Sequence, residues 1–360
     1  MSASQTRSAK VALVMAGGTG GHIFPGLALA QALRAQGWQV HWLGAPDSME
    51  SRLVPAQGFA FEAVDFGGVR GKGAGALLRL PLRLLRALLQ SARVLRRVRP
   101  QLLLGLGGYI TVPAGLLGAL QGRALVLHEQ NAVAGLANRV LARLARRVFT
   151  AFPGVLARSE CVGNPLRSAF VQQPEPAQRF ANRSGALRLL VLGGSLGARA
   201  LNSVVPQALA LLAPAQRPEV LHQSGEKQFD ALRANYAAAG VHATLTPFID
   251  DTAQAFADAD WVLCRAGASS VTEIAAVGAA AAFVPFPAAV DDHQTRNARY
   301  LVDQDAAWLL PQSDMTPQSL AQFMASLARP LLLARAQAAY RLRQTEATQA
   351  IVCACEELVA

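Results

Sequence analysis

The sequence predicts an α/β protein built from two doubly wound domains, and three observations carry that expectation. The chain has 360 residues, more than a single hydrophobic core usually organises. Short apolar runs of strand length alternate with helical patterns along most of it. A strand, a glycine turn and a helix open the chain at Val11, and the same succession returns at Leu187, so the second half repeats the plan of the first.

Val11 to Met15 reads as a buried parallel strand. AGGTGGHIFPGLALAQALRAQG then turns on its glycines into a helix that closes at Gly37, and Trp38 to Leu43 is the next strand. Further strands are expected at Leu102, Leu125 and Val148. Leu102 to Gln121 carries no charge and is long enough to span a bilayer. Gly105, Gly107, Gly108 and Pro113 interrupt it, and a buried strand, a glycine loop and an apolar helix from Pro113 account for it better. Turn residues gather over Phe152 to Val171 around Gly163-Asn164-Pro165, which places the domain boundary there: residues 1–165, then 166–339. In the second domain Leu187 to Leu192 is a strand, GGSLGAR a glycine loop and Ala200 to Leu212 a helix. Strands follow at Glu219 to His222, Ala243 to Thr246, Trp261 to Cys264 and Ala279 to Phe286. An Ala- and Arg-rich helical pattern begins near Leu331, and its last part, about 340–360, is expected to pack back on the first domain.

Thirty-four basic against 23 acidic residues give a net charge of +11, which points to an acidic partner such as anionic lipid or nucleic acid. The four cysteines lack metal-ligand spacing and fit a reducing compartment, and the N-terminus lacks the apolar core of a signal peptide. Between Asp65 and Glu129 there is no carboxylate. Arg70, Lys72, Arg79, Arg83, Arg86, Arg93, Arg96, Arg97 and Arg99 crowd that span and leucines interleave them, a density suited to an anionic bilayer surface reached through residues 70–99. Aromatic residues for stacking on bases are few there, so nucleic acid is not expected as a partner.

GGTGGH and GGSLGAR both follow a strand and precede a helix, where backbone N–H groups can approach a diphosphate, and Gly105-Leu106-Gly107-Gly108-Tyr109 makes a third such turn. Neither of the first two is a Rossmann dinucleotide fingerprint or a Walker loop, and no acid stands where a nicotinamide cofactor would need one. RAGASS, after Trp261 to Cys264, offers free N–H groups near Gly267 to Ser270, with Glu273 one turn on, placed to clamp ribose hydroxyls or to act as a first-turn capping acid. Asp291, Asp292, His293, Gln294 and Asn297 stand at the mouth of the next helix. Asp258-Ala259-Asp260 precedes its strand, at the wrong end of a sheet for a metal-nucleotide site, and reads as solvated acids in a turn.

Taken together, GGTGGHIFPGLALA, LGLGGYITVPAG, HEQNAVAGLANR, GNPLR, LGGSLGAR, HQSGE, FIDD, CRAGASSVTEIAAVG and DDHQTRNA resemble, in order and nearly end to end, the MurG family of bacterial UDP-N-acetylglucosamine:lipid I N-acetylglucosaminyltransferases. The resemblance implies a GT-B fold, two Rossmann-like domains facing a cleft, with no metal and no cofactor. It implies donor contacts from Arg167 and Ser195 to the nucleotide, Ile249 to uracil, Glu273 to ribose, Asn131 and Gln294 to the sugar, and Ala268, Ser269, Ser270, Val271 and Thr272 about the pyrophosphate, with Asn297 nearby. The family carries a Gln-Gln pair where His293-Gln294 stand, so both remain candidates, and a proline where alanines 279–282 run. Gly17, Gly18, Thr19, Gly20, Gly21, Gly107, Gly108 and Tyr109 would face lipid I, whose diphosphate hangs from a membrane polyprenyl chain.

By the same resemblance, the muramic acid C4 hydroxyl attacks C1 of the donor sugar with inversion, and a base takes its proton. His22, with an unperturbed pKa near 6.5, is the first candidate and Glu129 the second. The implied location is the cytoplasmic face of the bacterial inner membrane, with cell-wall-synthesis proteins as conceivable partners. A nucleotide-sugar enzyme acting on a soluble acceptor and a non-catalytic membrane or RNA binder are the competing readings.

Overall fold

The computed structural model describes residues 9–67, 79–194 and 197–359. They form two compact units, Met1–Leu166 with Thr345–Ala360, and Arg167–Gln344. Each is a parallel sheet with helices on its faces.

The first unit runs β1 Val11–Ala16, α1 Gly20–Ala35, β2 Gln39–Gly44, α2 Met49–Ala56, β3 Ala60–Ala63, α3 Leu80–Val98, β4 Leu102–Gly107, α4 Thr111–Leu120, β5 Ala124–Glu129, α5 Leu136–Leu141, β6 Arg147–Thr150 and β7 Glu160–Cys161. Strand order is β3-β2-β1-β4-β5-β6-β7, so the chain reverses direction across the sheet between β1 and β4. Alternate side chains feed two cores, as a strand buried on both faces requires. Ala12, Val14 and Ala16 pack with Ile23, Leu27 and Leu33 of α1, whereas Leu13 and Met15 pack on the face that holds Val94 and Leu95 of α3 and Ala114 of α4. The charge-free span is thus β4, a turn and α4, and among the described residues no helix is long and apolar enough to cross a membrane.

The second unit runs α6 Ser168–Val171, α7 Pro176–Phe180, β8 Arg188–Leu192, α8 Arg199–Leu211, β9 Glu219–Gln223, α9 Phe229–Ala239, β10 Thr244–Thr246, α10 Thr252–Asp258, β11 Trp261–Cys264, α11 Ala268–Val277, β12 Ala281–Phe283, α12 His293–Val302, β13 Ala307–Leu309, α13 Pro317–Ala325 and α14 Arg329–Arg341. Its order is β10-β9-β8-β11-β12-β13, with the reversal between β8 and β11.

Three expectations need correction. The C-terminal pattern is two helices: α14 stays with the second unit and ends where Tyr300 donates its hydroxyl to the Leu342 carbonyl at 2.7 Å. The second of them, α15 Ala347–Val359, joins the first unit, burying Ile351, Val352, Ala354 and Cys355 in the α1 face, while Glu356 accepts from Lys10 Nζ and Trp38 Nε1. The strand expected over Ala279 to Phe286 is only Ala281–Phe283, because Gly278 ends α11 in the left-handed region and Phe286 lies outside the sheet, exposed. Asp260 is not a solvated acid. It is fully buried and accepts from Arg183 Nη1 at 2.7 Å, Arg329 Nη2 at 3.2 Å and the Arg188 backbone N–H at 2.9 Å.

Candidate active-site regions

In open parallel sheets ligands bind beyond the carboxyl ends of the strands, where the chain order reverses. Both units place their glycine turns at such a point.

In the first unit Gly17, Gly18 and Thr19 link β1 to α1. The His22 and Ile23 N–H groups already donate to the Thr19 carbonyl at 3.1 and 3.2 Å, so the helix-end donors without an intrahelical partner belong to Thr19, Gly20 and Gly21. The turn after β4 packs directly against this one. Gly108 has φ +87°, and a Cβ there would stand 2.7 Å from the Gly17 carbonyl oxygen. Gly107, at φ +103°, would bring a Cβ to 3.1 Å from His22 Nε2. His22 Nδ1 lies 3.2 Å from the Gly17 carbonyl, which can only accept, and 3.4 Å from Thr19 Oγ1; the shorter contact favours a proton on Nδ1 and the lone pair on Nε2, beside Gly107. Tyr109 follows at the same turn and is half-buried.

Glu129 is placed otherwise. It is buried at the end of β5, and four donors occupy its oxygens: Asn131 N at 3.0 Å and Asn131 Nδ2 at 3.4 Å on one, Gly135 N at 3.0 Å and Asn138 Nδ2 at 2.9 Å on the other. This carboxylate ties down the 131–138 turn through all four contacts. Asn131 is held by it, half-buried. Sequence reasoning missed the neighbours on either side. His128 donates from Nε2 to the Gly163 carbonyl at 2.9 Å and accepts at Nδ1 from Gln130 Nε2 at 3.0 Å. Burial pushes the His128 ring down to about 4, so it is neutral, with the Gly163 contact opposing and His22 adding slightly to the shift. A His-Glu-Gln-Asn run at a strand end was the available signal.

In the second unit α11 starts at a Gly267 cap with no side-chain cap bond, and Val271 N donates to the Gly267 carbonyl at 3.0 Å. The helix-end N–H groups of Gly267, Ala268, Ser269 and Ser270 are therefore the outward donors. Val271 and Thr272 are buried beneath them, and the Thr272 hydroxyl donates back to the carbonyls of Ala268 and Ser269. Their part is to pack the turn. Glu273 is half-buried one turn on, and burial lifts its carboxyl to about 7 against the opposing charge of Arg167. Exposed Arg167 donates to Thr252 Oγ1 at 2.9 Å, and its guanidinium lies 4.9 Å from the centre of the Phe170 ring.

Asn297 departs from its expected place among ligand contacts. It is wholly buried in α12 and donates to the Ala266 carbonyl at 3.2 Å, bracing the 265–267 turn from below. Gln294 accepts at Oε1 from the Phe286 N–H at 2.9 Å, so it orders the strand exit while staying half-buried beside His293. Asp291 and Asp292 sit at φ 54° and 50°, and Asp292 accepts from the Thr295 hydroxyl in place of capping the helix backbone. Arg265, not anticipated, donates to the Val284 and Pro285 carbonyls and to Gln312 Oε1. Ile249 follows β10, half-buried, and Ser195 lies outside the described residues.

Comparison with known proteins decides the family. The glycosyltransferase family 28 N-terminal domain matches residues 12–150 and the family 28 C-terminal domain residues 188–351. A protein of Albidiferax ferrireducens named UDP-N-acetylglucosamine--N-acetylmuramyl-(pentapeptide) pyrophosphoryl-undecaprenol N-acetylglucosamine transferase is 68% identical over 353 residues, 97% of this chain and 91% of that one. A Polaromonas protein of the same name is 65% identical over 97% of this chain and 92% of its own. The crystal structure of Acinetobacter baumannii MurG superposes with a TM-score of 0.85 at 40% identity, covering 97% of this chain and 99% of that one. The chain belongs to the MurG family. It is a glycosyltransferase with the GT-B pair of Rossmann-like domains, as the motifs led one to expect. Among the described residues no three His, Cys, Asp or Glu side chains gather as metal ligands.

Proposed function

We propose that the chain moves N-acetylglucosamine from UDP-GlcNAc to the C4 hydroxyl of N-acetylmuramic acid in lipid I, forming lipid II. The observation that carries this is the α11 turn, where four outward N–H groups, Arg167 and the partly exposed Glu273 carboxyl converge at the reversal point of the sheet. That set suits a nucleoside diphosphate: N–H groups for the two phosphates, a carboxylate for the ribose hydroxyls. The relatives named above, which carry this activity in their names, support the same reading.

As the bond from C1 to UDP breaks, negative charge grows on the β-phosphate while the sugar gains oxocarbenium character. The N–H groups of Gly267 to Ser270 and the Arg167 guanidinium are fixed before that charge appears, so they lower its energy without reorganising. His22 takes the hydroxyl proton at Nε2, and its Nδ1–H bond to the Gly17 carbonyl stabilises the imidazolium that results. Thr19, Gly20 and Gly21 present their N–H groups to the acceptor's diphosphate.

The lipid acceptor accounts for α3. Its inner face buries Ala87, Ser91, Val94, Leu95 and Val98, while Leu82, Leu85 and Leu89 stand 72%, 55% and 53% exposed, flanked by Arg86, Arg93 and Arg96. Apolar side chains held outward among arginines fit the interface of an anionic membrane, which this reading takes to be the cytoplasmic face of the inner membrane. Arg70 and Lys72 of the expected span lie outside the described residues. The acid-free sequence is not acid-free in space, since Arg97 pairs with Glu62, and Arg86 with Asp65 at 3.5 Å. UDP release from UDP-GlcNAc, measured with and without a lipid I analogue, tests the proposal. Release that depends on the analogue supports it, and release that depends only on a soluble sugar acceptor overturns it.

A further inference from the structure

The fully buried end of β9 holds a contact that the donor site, as read above, does not use. In the order β10-β9-β8, β9 separates the strand that leads into Gly193 and Gly194 from the strand that leads into Pro247, Phe248 and Ile249. Those two exits stand two strand spacings apart, roughly 10 Å. Gln223, the last residue of β9, is buried and donates from Nε2 to both sides: to the Gly194 carbonyl at 3.2 Å and to the Pro247 carbonyl at 3.0 Å. Its own main chain repeats the bridge. The Gly193 N–H donates to the Gln223 carbonyl at 3.1 Å, and the next residue, Ser224, donates from N to the Thr246 carbonyl at 3.0 Å.

A glutamine amide has two hydrogens on one nitrogen, and here each meets a different segment. Below it His222 accepts from Tyr236 OH at Nδ1 and donates from Nε2 to Asn202 Oδ1, and Asn202 donates to the Ser224 carbonyl and Gln228 Oε1. Burial drives His222 down to about 3, so this underlying network is neutral and does not change with pH near neutrality. The bridge therefore rests on a rigid floor.

We infer that Gln223 is a positioning residue which fixes the spacing between the phosphate-side turn at Gly193 and Gly194 and the base-side segment at 247–249, so that diphosphate and uracil are bound as one preorganised unit. This rests on the donor site proposed above together with the sequence reading of GGSLGAR as a second diphosphate-facing turn and of Ile249 as the uracil contact. Its chemistry predicts a specific loss: without the bridge each half of the nucleotide still binds its own segment, but holding both at once no longer comes without an ordering cost.

The test uses the full chain with Gln223→Met, which keeps the volume and removes both donors, and Gln223→Asn, which keeps an amide in the core but falls one methylene short of spanning both carbonyls. Calorimetric affinities for UDP, uridine and inorganic pyrophosphate are compared with wild type, together with donor KM, kcat and Tm. The expected result in both variants is a UDP affinity about tenfold weaker, roughly 1.4 kcal/mol, with uridine and pyrophosphate within about twofold and KM rising while kcat at saturating donor holds. Equal weakening of all three ligands, or a fall in Tm with UDP affinity unchanged, overturns the inference and leaves Gln223 a packing residue. A wild-type chain that binds no UDP overturns the donor site itself, which is a separate and recognisable result.

Discussion

Donor affinity should climb with pH through neutrality, because of Glu273. Burial raises its carboxyl from the ordinary glutamate range to about 7, and Arg167 opposes that rise without cancelling it. In the free protein the group therefore keeps its proton below pH 7. Ribose hydroxyls donate best to the carboxylate, so a bound donor selects the ionised form and must expel that proton in acid. With the midpoint near 7, the ionised fraction goes from about one tenth at pH 6 to about nine tenths at pH 8, and affinity for UDP-GlcNAc rises about tenfold, some 1.4 kcal/mol. UDP-GlcNAc is the suitable probe, since a diphosphate esterified at both ends does not itself titrate over that range. Calorimetry in two buffers of different ionisation enthalpy reads the affinity and also the released proton, about one half per donor at pH 7. Glu273→Gln should bind more weakly at pH 8 and lose the slope. A flat wild-type profile, or a Gln variant that keeps the slope, refutes the reasoning. Stability follows the opposite sign: a carboxyl raised on folding supports the fold while protonated, so wild type should lose Tm relative to Glu273→Gln as pH goes from about 5 to about 8.

Three further outcomes are expected. His22→Ala should cut kcat by about a hundredfold to ten-thousandfold with donor affinity intact, whereas Glu129→Gln should lower Tm and weaken acceptor saturation by loosening the 131–138 turn; a pH profile flattened only by Glu129→Gln would reverse these roles. Replacing Leu82, Leu85 and Leu89 with Ser should reduce sedimentation with anionic vesicles and leave UDP affinity unchanged, each buried leucine being worth about 1.5 to 3 kcal/mol, and equal sedimentation would return α3 to a solvated face. Asp260→Ala should cost about 3 to 5 kcal/mol in chemical denaturation, since it strands Arg183 and Arg329 without their shared carboxylate; a loss under about 1 kcal/mol would mean that water takes its place.

Much of this molecule can be read in its residues, for a local reason. The turns at Gly17, Gly107 and Gly267 follow apolar strand runs within a few residues, and strand, turn and helix are set by short-range rules. What escaped was set at long range. Asp260 looked solvated because its partners Arg183 and Arg329 lie 77 and 69 residues away. Nothing near Glu129 in the sequence announces that Asn131, Gly135 and Asn138 all fold back to donate to it. Asn297 sits among polar residues at a helix mouth, and only the course of the chain at Ala266 turns it inward. The exposure of Leu82, Leu85 and Leu89 was similarly hidden, since their spacing alone does not say which side of α3 meets the sheet.

The return of α15 to the first unit bears on how the protein is made. Its Ile351, Val352, Ala354 and Cys355 complete the apolar layer over β1, β4 and α1, and they leave the ribosome after the whole of the second unit. The first sheet is synthesised early and lacks that part of its cover until the final helix arrives, while the intervening 178 residues, Arg167–Gln344, form a compact unit with a core of their own. The unit that begins first in synthesis is thus the last to have all of its residues. A nascent chain stalled after Gln344 but before α15 has the whole second unit and still leaves an open hydrophobic seam on the first, which is the kind of surface that chaperones engage and that aggregates in their absence.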